Sequence, residues 1–432
     1  MLDMKWVREH AEAVQEAAIL KGLDVSVEEL LELDVLRRNT LGRIEVWRQE
    51  RNEGSAEMGR LLKIQGSGHP EAVRCRQEMR QLNDRITEEE LKLAAVEETI
   101  RQKLLQVPNL VSPDSPRGAS DADNVVVRHV GELPVFDFPI RDHVELGELH
   151  GIVDITRGVK TGGARSYYLK GAGLLLHRAV QQLALDLLCE KGFVPMEVPL
   201  MVRGEALEHT GFFPSGQNQT FRIAEENRWL AGTSEVPLIS YYAGETVDVR
   251  EPIRLAGISA CFRREVGSAG RDVRGLYRVH QFAKVEQVVI CEGSLKTSEL
   301  LHTEITAHAE QILQLLELPY RVMAVCTGDM SQKTFKQWDI ETWMAGRGAF
   351  GETHSSSNLL DFQARRANIR YRDEKGQLRY CHTLNNTAVA APRILIPLLE
   401  NHQEADGSIR IPKALQPYVG GMEKLTAPHP KG

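Results

Sequence analysis

The sequence has few cysteines and no long apolar run. Its longest apolar stretches fall far short of the roughly 18 residues that a membrane-spanning helix needs. The first residues, MLDMKWVREH, lack the apolar core of a signal peptide and the arginine- and serine-rich pattern of a transit peptide. The six cysteines form no CxxC pair and no close cluster with histidine, so we expect reduced thiols, with neither a disulfide framework nor a zinc site. These absences predict a cytoplasmic protein with no membrane segment.

Two common nucleotide-binding signatures are also missing. No GxGxxG pattern opens a helix and no Walker loop is present, so neither of these phosphate-binding turns is indicated. The net charge of -7 does not suggest a nucleic-acid-binding protein as a whole, although a local basic region could still bind RNA. With 432 residues and 42% apolar content, the chain has room for two or three domains and a sizeable core.

The N-terminal quarter is predicted to be helical. Residues 4–21 fit one amphipathic helix, and two long helix-like segments follow at about 27–65 and 70–105, separated by the turn sequence GSGHP. The second long segment has a heptad seam, interrupted only by Glu89 and formed by Met79, Leu82, Ile86, Leu93, Val96 and Ile100. This pattern predicts an antiparallel coiled-coil hairpin over about 27–105.

The charge of this hairpin is uneven. Between Arg37 and Arg85 there are eleven basic and seven acidic residues, whereas glutamates dominate the base of the hairpin. The outer part is therefore net positive although the whole chain is negative. Such a rod can be a solvated or partner-binding coiled coil, or it can contact the phosphates of a structured RNA through arginine.

The rest of the chain has a different pattern. Val107 to Asn124 is rich in Pro, Ser, Asp and Gly, as linkers are. From Val125 onward, short strand patterns come in runs with turns and intervening helices, which predicts an antiparallel sheet flanked by helices. We therefore expect an α+β protein with a helical domain at 1–106, a linker at 107–124 and a globular domain at 125–432.

The most informative stretch runs from Ile258 to Ile290, where two strand patterns flank a loop rich in glycine and arginine. Because side chains alternate along a strand, Arg263 shares a face with Glu265, and Phe282 shares a face with Glu286. The loop supplies backbone freedom and cationic groups suited to phosphate, from Gly267, Gly270, Arg271, Arg274 and Gly275. A phosphate-binding site and an ordinary hairpin with surface ion pairs both fit this pattern.

Three further clusters of polar residues lie in the globular domain. The stretch LAGTSEVP places Thr233 and Glu235 on one face, and a hydroxyl with a carboxylate suits a small amino acid that carries an ammonium group. The stretch GETHSSSN offers oxygen ligands of the kind that Mg²⁺ prefers. The stretch HTLNNTAVAAPR places Asn385 and Thr387 on one strand face, before a predicted helix start. Each cluster alone also fits an ordinary polar loop.

The stretch FRREVGSAGRDVRGLYRVHQFAKVE resembles the second signature motif of class II aminoacyl-tRNA synthetases, and specifically that of the seryl-tRNA synthetases of bacterial and mitochondrial type. LAGTSEVP resembles the Thr-x-Glu motif of their serine pocket, and residues 382–401 resemble motif 3. Residues 171–199 resemble motif 1, which builds the dimer interface, and residues 411–420 resemble the C-terminal segment. The helical hairpin is similar to the tRNA-binding arm. A pair of class I motifs of the HIGH and KMSKS type is not evident.

Some positions depart from the commoner family pattern. Ser234 stands where many members have alanine, and His354 stands where many have a small residue. Motif 3 reads NTAVAAPR, with Pro392, instead of the commoner GSGLAVGR form. Thr387 therefore replaces a pocket serine, which keeps the hydroxyl and adds a methyl group. We do not take this variant as loss of function.

The resemblance implies an enzyme that activates L-serine with ATP and Mg²⁺ to seryl-adenylate and transfers the serine to the 3′ end of tRNA(Ser). It leaves tRNA(Sec) open as a second substrate. It also implies a homodimer whose helical arm binds the long variable arm of the tRNA. Two alternatives stay open: a paralogue that passes seryl-adenylate to a carrier protein, and a non-catalytic RNA-binding or structural coiled-coil protein.

The resemblance also implies a role for each matching residue. Arg263 and Arg393 would be catalytic, at the α-phosphate and the γ-phosphate of ATP. The serine-binding set is Thr233, Ser234, Glu235, Arg263, Glu286, Asn385 and Thr387. The ATP-binding set is Arg263, Arg264, Glu265, Val279, Phe282, Glu352, Thr353, His354, Ser355 and Arg393, of which Glu352 and Ser355 would also hold Mg²⁺. The tRNA-binding set is Arg37, Arg38, Arg43, Arg48, Arg51, Arg74, Arg76 and Arg80. Lys284 shares a face with Phe282 and Glu286 but has no implied role.

Overall fold

The computed structural model describes residues 2–267 and 274–427. Gly270 and Arg271 of the predicted phosphate loop lie outside the described residues. Within the described chain, no helix combines the length and the apolar character that crossing a membrane requires.

The chain divides into two compact units. The helical unit comprises Leu2–Ala18 and Asp24–Val107, and the α+β unit comprises Ile19–Leu23 together with the chain from Pro108 onward. The segment predicted as a linker therefore belongs, after Val107, to the α+β unit. Within that unit, the backbone N–H of Asn109 donates to the Gln332 carbonyl at 2.9 Å.

The helices are α1 (Met4–Glu9), α2 (Ala11–Leu20), α3 (Val27–Gln65), α4 (Pro70–Gln106), α5 (His143–Leu149), α6 (Ile155–Gly162), α7 (Ala172–Glu190), α8 (Gly204–His209), α9 (Glu235–Ser240), α10 (Leu295–Leu315), α11 (Phe362–Ala367) and α12 (Leu395–Asn401). The prediction of a single helix over residues 4–21 is wrong. His10 leaves helical geometry, with a φ of -134°, and its N–H caps the Trp6 carbonyl, so α1 ends there and α2 starts anew.

The predicted pair of long helices is confirmed. Helix α3 begins where the Ser26 hydroxyl accepts the Glu29 N–H at 3.2 Å, and α4 begins with Pro70, whose fixed φ suits a first helical turn. The two helices run antiparallel, since Lys103 of α4 reaches Glu29 of α3. Leu82 and Ile86 of the predicted seam are buried, whereas the interrupting Glu89 forms an ion pair with Arg43 at 2.7 Å.

Gly54 sets how closely the two long helices approach. A Cβ atom at this position would lie 2.5 Å from the Met79 Cε atom of α4. The absence of a side chain in α3 therefore makes room for a seam residue of α4.

The strands are β1 (Val125–Val130), β2 (Val153–Asp154), β3 (Tyr168–Leu169), β4 (Val194–Glu197), β5 (Met201–Arg203), β6 (Arg228–Leu230), β7 (Ile253–Phe262), β8 (Gln281–Cys291), β9 (Tyr320–Ala324), β10 (Lys336–Met344), β11 (Ala349–Asn358), β12 (Arg370–Arg372), β13 (Leu378–Tyr380), β14 (His382–Ala391), β15 (Ile409–Arg410) and β16 (Lys424–Leu425). Eight of them form the main sheet, in the order β1-β9-β10-β11-β14-β8-β7-β4. All neighbouring pairs in this sheet are antiparallel except β4 with β7. The predicted antiparallel sheet is confirmed.

Two long helices pack against this sheet. Helix α7 buries Leu176, Val180 and Leu188, and α10 buries Ile305 and Ile312, in one apolar cluster with side chains of the central strands. The faces of β8, β14 and β11 that point away from this core can therefore carry polar groups. On these strands Glu286 lies opposite Thr387, and Asn385 lies opposite Ser357.

Candidate active site

A pocket of about 290 Å³ lies over the centre of the main sheet. It brings together all the predicted serine and ATP ligands except three, and its lining includes Thr233, Glu235, Arg263, Glu265, Val279, Phe282, Glu286, Glu352, Thr353, Ser355, Asn385, Thr387 and Arg393. A larger and more open groove of about 920 Å³ lies elsewhere on the α+β unit, around Arg250 and Asp373, and none of these motif residues lines it. The smaller pocket is therefore the candidate active site.

One end of the pocket is organised around the carboxylate of Glu235. This side chain is 4% exposed, and a single oxygen, Oε1, accepts three hydrogen bonds. Lys333 Nζ donates at 2.6 Å, and the amides of Gln363 and Asn385 each donate at 2.7 Å. The backbone N–H of Glu235 donates to the Thr233 hydroxyl at 3.2 Å. These contacts fix the carboxylate and leave its second oxygen available at the pocket.

A second buried carboxylate, Glu286 of strand β8, lines the same end of the pocket. Its side chain is bridged by Lys284 Nζ at 2.6 Å and accepts the Thr387 hydroxyl at 3.3 Å from the neighbouring strand β14. Burial raises the pKa of Glu286, against the opposing attraction of Lys284. The sequence implied no role for Lys284. The structure shows that it is the counter-ion of Glu286.

The other end of the pocket is cationic. The Arg263 guanidinium lies 5.3 Å from the centre of the Phe282 ring and donates from Nε to the Gly232 carbonyl at 3.3 Å. Arg393 donates to the carbonyls of Tyr277 and Glu352, each at 3.1 Å. Backbone contacts of this kind hold both guanidinium groups in place while their charge stays available for an anion.

Oxygen donors lie beside this cationic end. The carboxylate of Glu352 is 3.9 Å from Arg393, and the Ser355 hydroxyl accepts the Gln337 amide at 3.2 Å. Asp339 lies opposite Ser355 on β10, and burial together with the charge of Glu352 raises the pKa of Asp339 to about 8. The raised pKa of Asp339 shows that this site favours added positive charge. Its carboxylate and hydroxyl oxygens fit a hard divalent cation such as Mg²⁺. In the described part of the chain, no group of three or more His, Cys, Asp or Glu side chains is placed to hold a metal ion by itself.

Three predicted ligands do not line the pocket. Ser234 is fully buried, and its hydroxyl donates to the Gly257 carbonyl at 3.3 Å, beneath the pocket wall. His354 alternates to the core face of β11, where burial lowers its pKa to about 3. Arg264 is exposed and lies beyond the end of β7, outside the lining of the pocket. All three stay predictions, and each adjoins a residue that does line the pocket.

The lining or supporting residues that the sequence reasoning missed include Phe212, Lys333, Gln337 and Gln363. Lys333 Nζ lies 4.1 Å from the centre of the Phe212 ring as well as beside Glu235. These side chains come from loops, from helix α11 and from strand β10, none of which carries a motif. The only available signal was alternation along β10, which places Gln337 and Asp339 on one face.

The predicted tRNA-binding arginines fall into two groups within the helical unit. Five form ion pairs: Arg37 and Arg38 with Asp34, and Arg43, Arg48 and Arg74 with Glu89, Glu90 and Glu78. For Arg51, Arg76 and Arg80, the described residues show no ion pair. Asp34 is fully buried and also bridges Arg8 of α1 at 2.6 Å. The Arg8 contact joins α1 to α3, and Arg37 and Arg38 share the same buried carboxylate from within α3.

Known proteins resemble the chain over its whole length. A family model of the seryl-tRNA synthetase N-terminal domain matches residues 1–111, and one of the class II tRNA synthetase core domain (G, H, P, S and T) matches residues 220–402. The serine–tRNA ligase of Deinococcus radiodurans is 45% identical over 99% of this chain and 100% of its own. That of Dictyoglomus turgidum is 41% identical over 98% of this chain and 99% of its own.

Solved structures give the same result. The crystal structure of seryl-tRNA synthetase from Pyrococcus horikoshii complexed with ATP matches with a TM-score of 0.92 and 37% identity, covering 99% of this chain and 100% of that one. The cytoplasmic serine–tRNA ligase from Naegleria fowleri in complex with AMP matches with a TM-score of 0.86 and 27% identity, covering 99% of each chain. Two domain families, full-length relatives and the fold all agree. The chain belongs to the seryl-tRNA synthetases, which are class II aminoacyl-tRNA synthetases.

Proposed function

We propose that the protein is a serine–tRNA ligase that joins L-serine to tRNA(Ser) in two steps. In the first step, a carboxylate oxygen of serine attacks the α-phosphorus of ATP. The bond between the α-phosphorus and the oxygen that bridges it to the β-phosphate breaks, and seryl-adenylate and pyrophosphate form. In the second, the 3′-terminal hydroxyl of the tRNA attacks the seryl carbonyl and AMP leaves. The observation that carries the proposal is one pocket with two buried carboxylates at one end and two fixed guanidinium groups at the other.

Serine fits the carboxylate end. Its ammonium group needs an anion, and its hydroxyl needs a hydrogen-bond partner, which Glu235, Glu286 and Thr387 can supply. A buried polar site of this kind rejects an analogue that lacks the hydroxyl by on the order of 10⁴-fold, because its polar groups are then left unpaired. Alanine and glycine are excluded by chemistry in this way. Threonine, which keeps the hydroxyl, has to be excluded by space.

ATP fits the cationic end. We assign Arg263 to the α-phosphate and the serine carboxylate, and Arg393 to the γ-phosphate. Phe282 offers a ring face for adenine, and Glu265, held by Arg278 at 3.2 Å, lies at the same end. Charge stabilisation and alignment are the main demands of a phosphoryl-group reaction, and both guanidinium groups are already oriented by backbone carbonyls.

We assign Mg²⁺ to Glu352 and Ser355, where the oxygen donors fit a divalent cation. The ion would neutralise phosphate charge when bound with ATP. Arg263 and Arg393 would hold the oxygens of the nucleotide. Arg393 also donates to the backbone carbonyl of Glu352, which keeps this residue at the site.

We assign residues 1–106 to tRNA binding and residues 125–432 to catalysis. The outer part of the hairpin is rich in arginine, and the phosphates of the long variable arm of tRNA(Ser) are a fitting partner for Arg51, Arg76 and Arg80. A homodimer is supported by the resemblance of residues 171–199 to motif 1 and by the position of β4 at the edge of the main sheet, with Val194 exposed. Whether tRNA(Sec) is also charged is a question for the same assay.

Serine-dependent exchange of pyrophosphate into ATP tests the first step, and serine charging of tRNA(Ser) tests the second. The Arg263→Ala variant should lose exchange to below about 1% of the unsubstituted protein, since the group that neutralises the reacting phosphate is gone. Arg250→Ala is the matched control, because Arg250 is exposed and pairs with Asp248 away from the pocket. Exchange by Arg263→Ala at the control level would refute the assignment. No exchange in the unsubstituted protein would refute the function.

A further inference from the structure

Lys21 has an unusual environment for a lysine. It follows the end of α2, is 5% exposed, and belongs to the Ile19–Leu23 segment of the α+β unit. Its Nζ atom donates to three backbone carbonyls of one short segment: Ser331 at 3.1 Å, Gln332 at 3.1 Å and Thr334 at 2.5 Å. An ammonium group has three protons, so all of its donors are used on this segment.

Burial of this ammonium is costly in itself. Desolvation lowers the pKa of Lys21 to about 7, and no charge of a carboxylate contributes to offset it. An apolar side chain at this position would avoid that cost. The three carbonyls are therefore the main compensation for the buried ammonium, and the lysine in turn fixes the backbone that carries them.

The segment that Lys21 holds forms part of the pocket wall. Ser331, Lys333 and Thr334 all line the candidate active site. Every carbonyl from residue 331 to 334 accepts a hydrogen bond, since Asn109 donates from its side-chain amide to the Lys333 carbonyl at 3.1 Å and from its backbone to the Gln332 carbonyl. The backbone of this segment is thus held by Lys21 and Asn109, neither of which lines the pocket.

The side chain of Lys333 extends from this segment to the serine end of the pocket. Its Nζ atom lies 2.6 Å from Glu235 Oε1 and 4.1 Å from the centre of the Phe212 ring. A shift of the backbone would lengthen the short contact to Glu235, because the aromatic ring and the buried surroundings leave the side chain little freedom to compensate. The position of the Glu235 carboxylate therefore depends on the 331–334 backbone.

We propose that Lys21 is a positioning residue for the amino-acid pocket: it fixes residues 331–334 so that Lys333 holds the Glu235 carboxylate in the orientation that receives the substrate ammonium. This inference rests on the proposed function. It predicts a selective effect. Loss of the Lys21 ammonium weakens serine recognition, while ATP recognition, which depends on Arg263 and Arg393 at the other end, is unaffected.

The test is steady-state pyrophosphate exchange with serine and ATP varied in turn. Lys21→Met removes the three donors and keeps an unbranched side chain of similar length. The KM for serine should rise about tenfold or more, and the KM for ATP should stay within about twofold. Lys5→Met is the matched control, since Lys5 is exposed in α1 and loses the same single charge. An unchanged KM for serine in Lys21→Met, or equal rises in both KM values, would overturn the proposal.

A double-mutant cycle tests the route of the effect. If Lys21 acts through Lys333, the variant Lys21→Met with Lys333→Met should have the same KM for serine as Lys333→Met alone. If the double variant instead raises the KM for serine by the product of the two single-variant factors, that route is refuted. Lys21→Gln retains hydrogen-bond donors and should give a smaller rise in the KM for serine. It replaces Lys21→Met in the test if thermal unfolding shows that Lys21→Met does not fold. Serine-dependent exchange in the unsubstituted protein separates failure of this inference from failure of the proposed function.

Discussion

The substitution Glu235→Gln probes the most tightly connected carboxylate of the site. It keeps the shape of the side chain and the oxygen that accepts from Gln363 and Asn385, but it removes the negative charge beside Lys333. The expected result is a loss of stability together with a loss of serine recognition, because the same charge holds Lys333 and receives the substrate ammonium.

The structure sets the size of the effect. A hydrogen bond to a charged group contributes about 1.5–3 kcal/mol, against about 0.5–1.5 kcal/mol for a neutral one, so the Lys333 contact alone loses about 1 kcal/mol. Leaving a buried partner unpaired costs about 3–5 kcal/mol, and the Lys333 side chain is only 11% exposed. Burial already lowers the pKa of Lys333, so this lysine can escape part of that cost by losing its proton. We therefore expect the free energy of unfolding to fall by about 2 kcal/mol at neutral pH.

Two measurements check this expectation. Urea unfolding gives the free energy of unfolding, and pyrophosphate exchange gives the KM for serine, which should rise at least about tenfold, equivalent to about 1.4 kcal/mol. The stability deficit should shrink as the pH rises, because the unpaired Lys333 becomes neutral. Glu226→Gln is the control: Glu226 pairs with Arg228 on the surface, and its loss should change stability by less than about 0.5 kcal/mol. A deficit as small as that of the control, with an unchanged KM, would refute the reasoning.

Three further predictions concern the serine pocket and the helical arm. Thr387→Val should lower kcat/KM for serine roughly 10- to 100-fold in pyrophosphate exchange, because Glu286 loses a hydroxyl, whereas Thr387→Ser should stay near the unsubstituted protein. Asp34→Asn should lower the stability of the helical unit by about 3 kcal/mol, measured by circular dichroism, because the buried partner of three arginines loses its charge. Although burial acts to raise the pKa of Asp34, hydrogen bonds from Arg37 and Arg8 lower it overall. The difference between variant and parent should therefore begin to shrink below about pH 4 and disappear only below the lowered pKa of the folded state; persistence there would refute the assignment. Replacing Arg51, Arg76 and Arg80 together by alanine should weaken tRNA charging and reduce its log–log salt slope by up to about 2.7, with serine activation unchanged; equal loss of both would contradict a role in RNA binding.

Much of the active site could be predicted because strand alternation and short motifs are local. Once Phe282 and Glu286 are placed on one face of β8, Lys284 follows, and the structure confirms that the three share the pocket. His354 and Arg264 do not line the pocket, although their neighbours in sequence do, because a motif gives a stretch of sequence and a pocket takes only some residues from it.

Lys333, Gln363 and Lys21 could not be predicted in this way. Each acts through a contact with a residue far away in the chain: Lys333 and Gln363 with Glu235, and Lys21 with carbonyls more than three hundred residues later. Such contacts depend on how loops are placed by the packed sheet and helices. A lysine that is buried against carbonyls has the same appearance in a sequence as a lysine on the surface.

The sequence by itself determined the long helical hairpin, the antiparallel sheet and the motif residues of the pocket, because heptad spacing, strand alternation and capping are short-range effects of the chain. The tertiary structure alone decided which of those residues face the pocket, which arginines of the arm are taken up by ion pairs, and which buried lysines hold the two carboxylates in place. Burial and charge pairing are properties of the folded neighbourhood, and packing brings together groups whose separation in sequence carries no information about their distance.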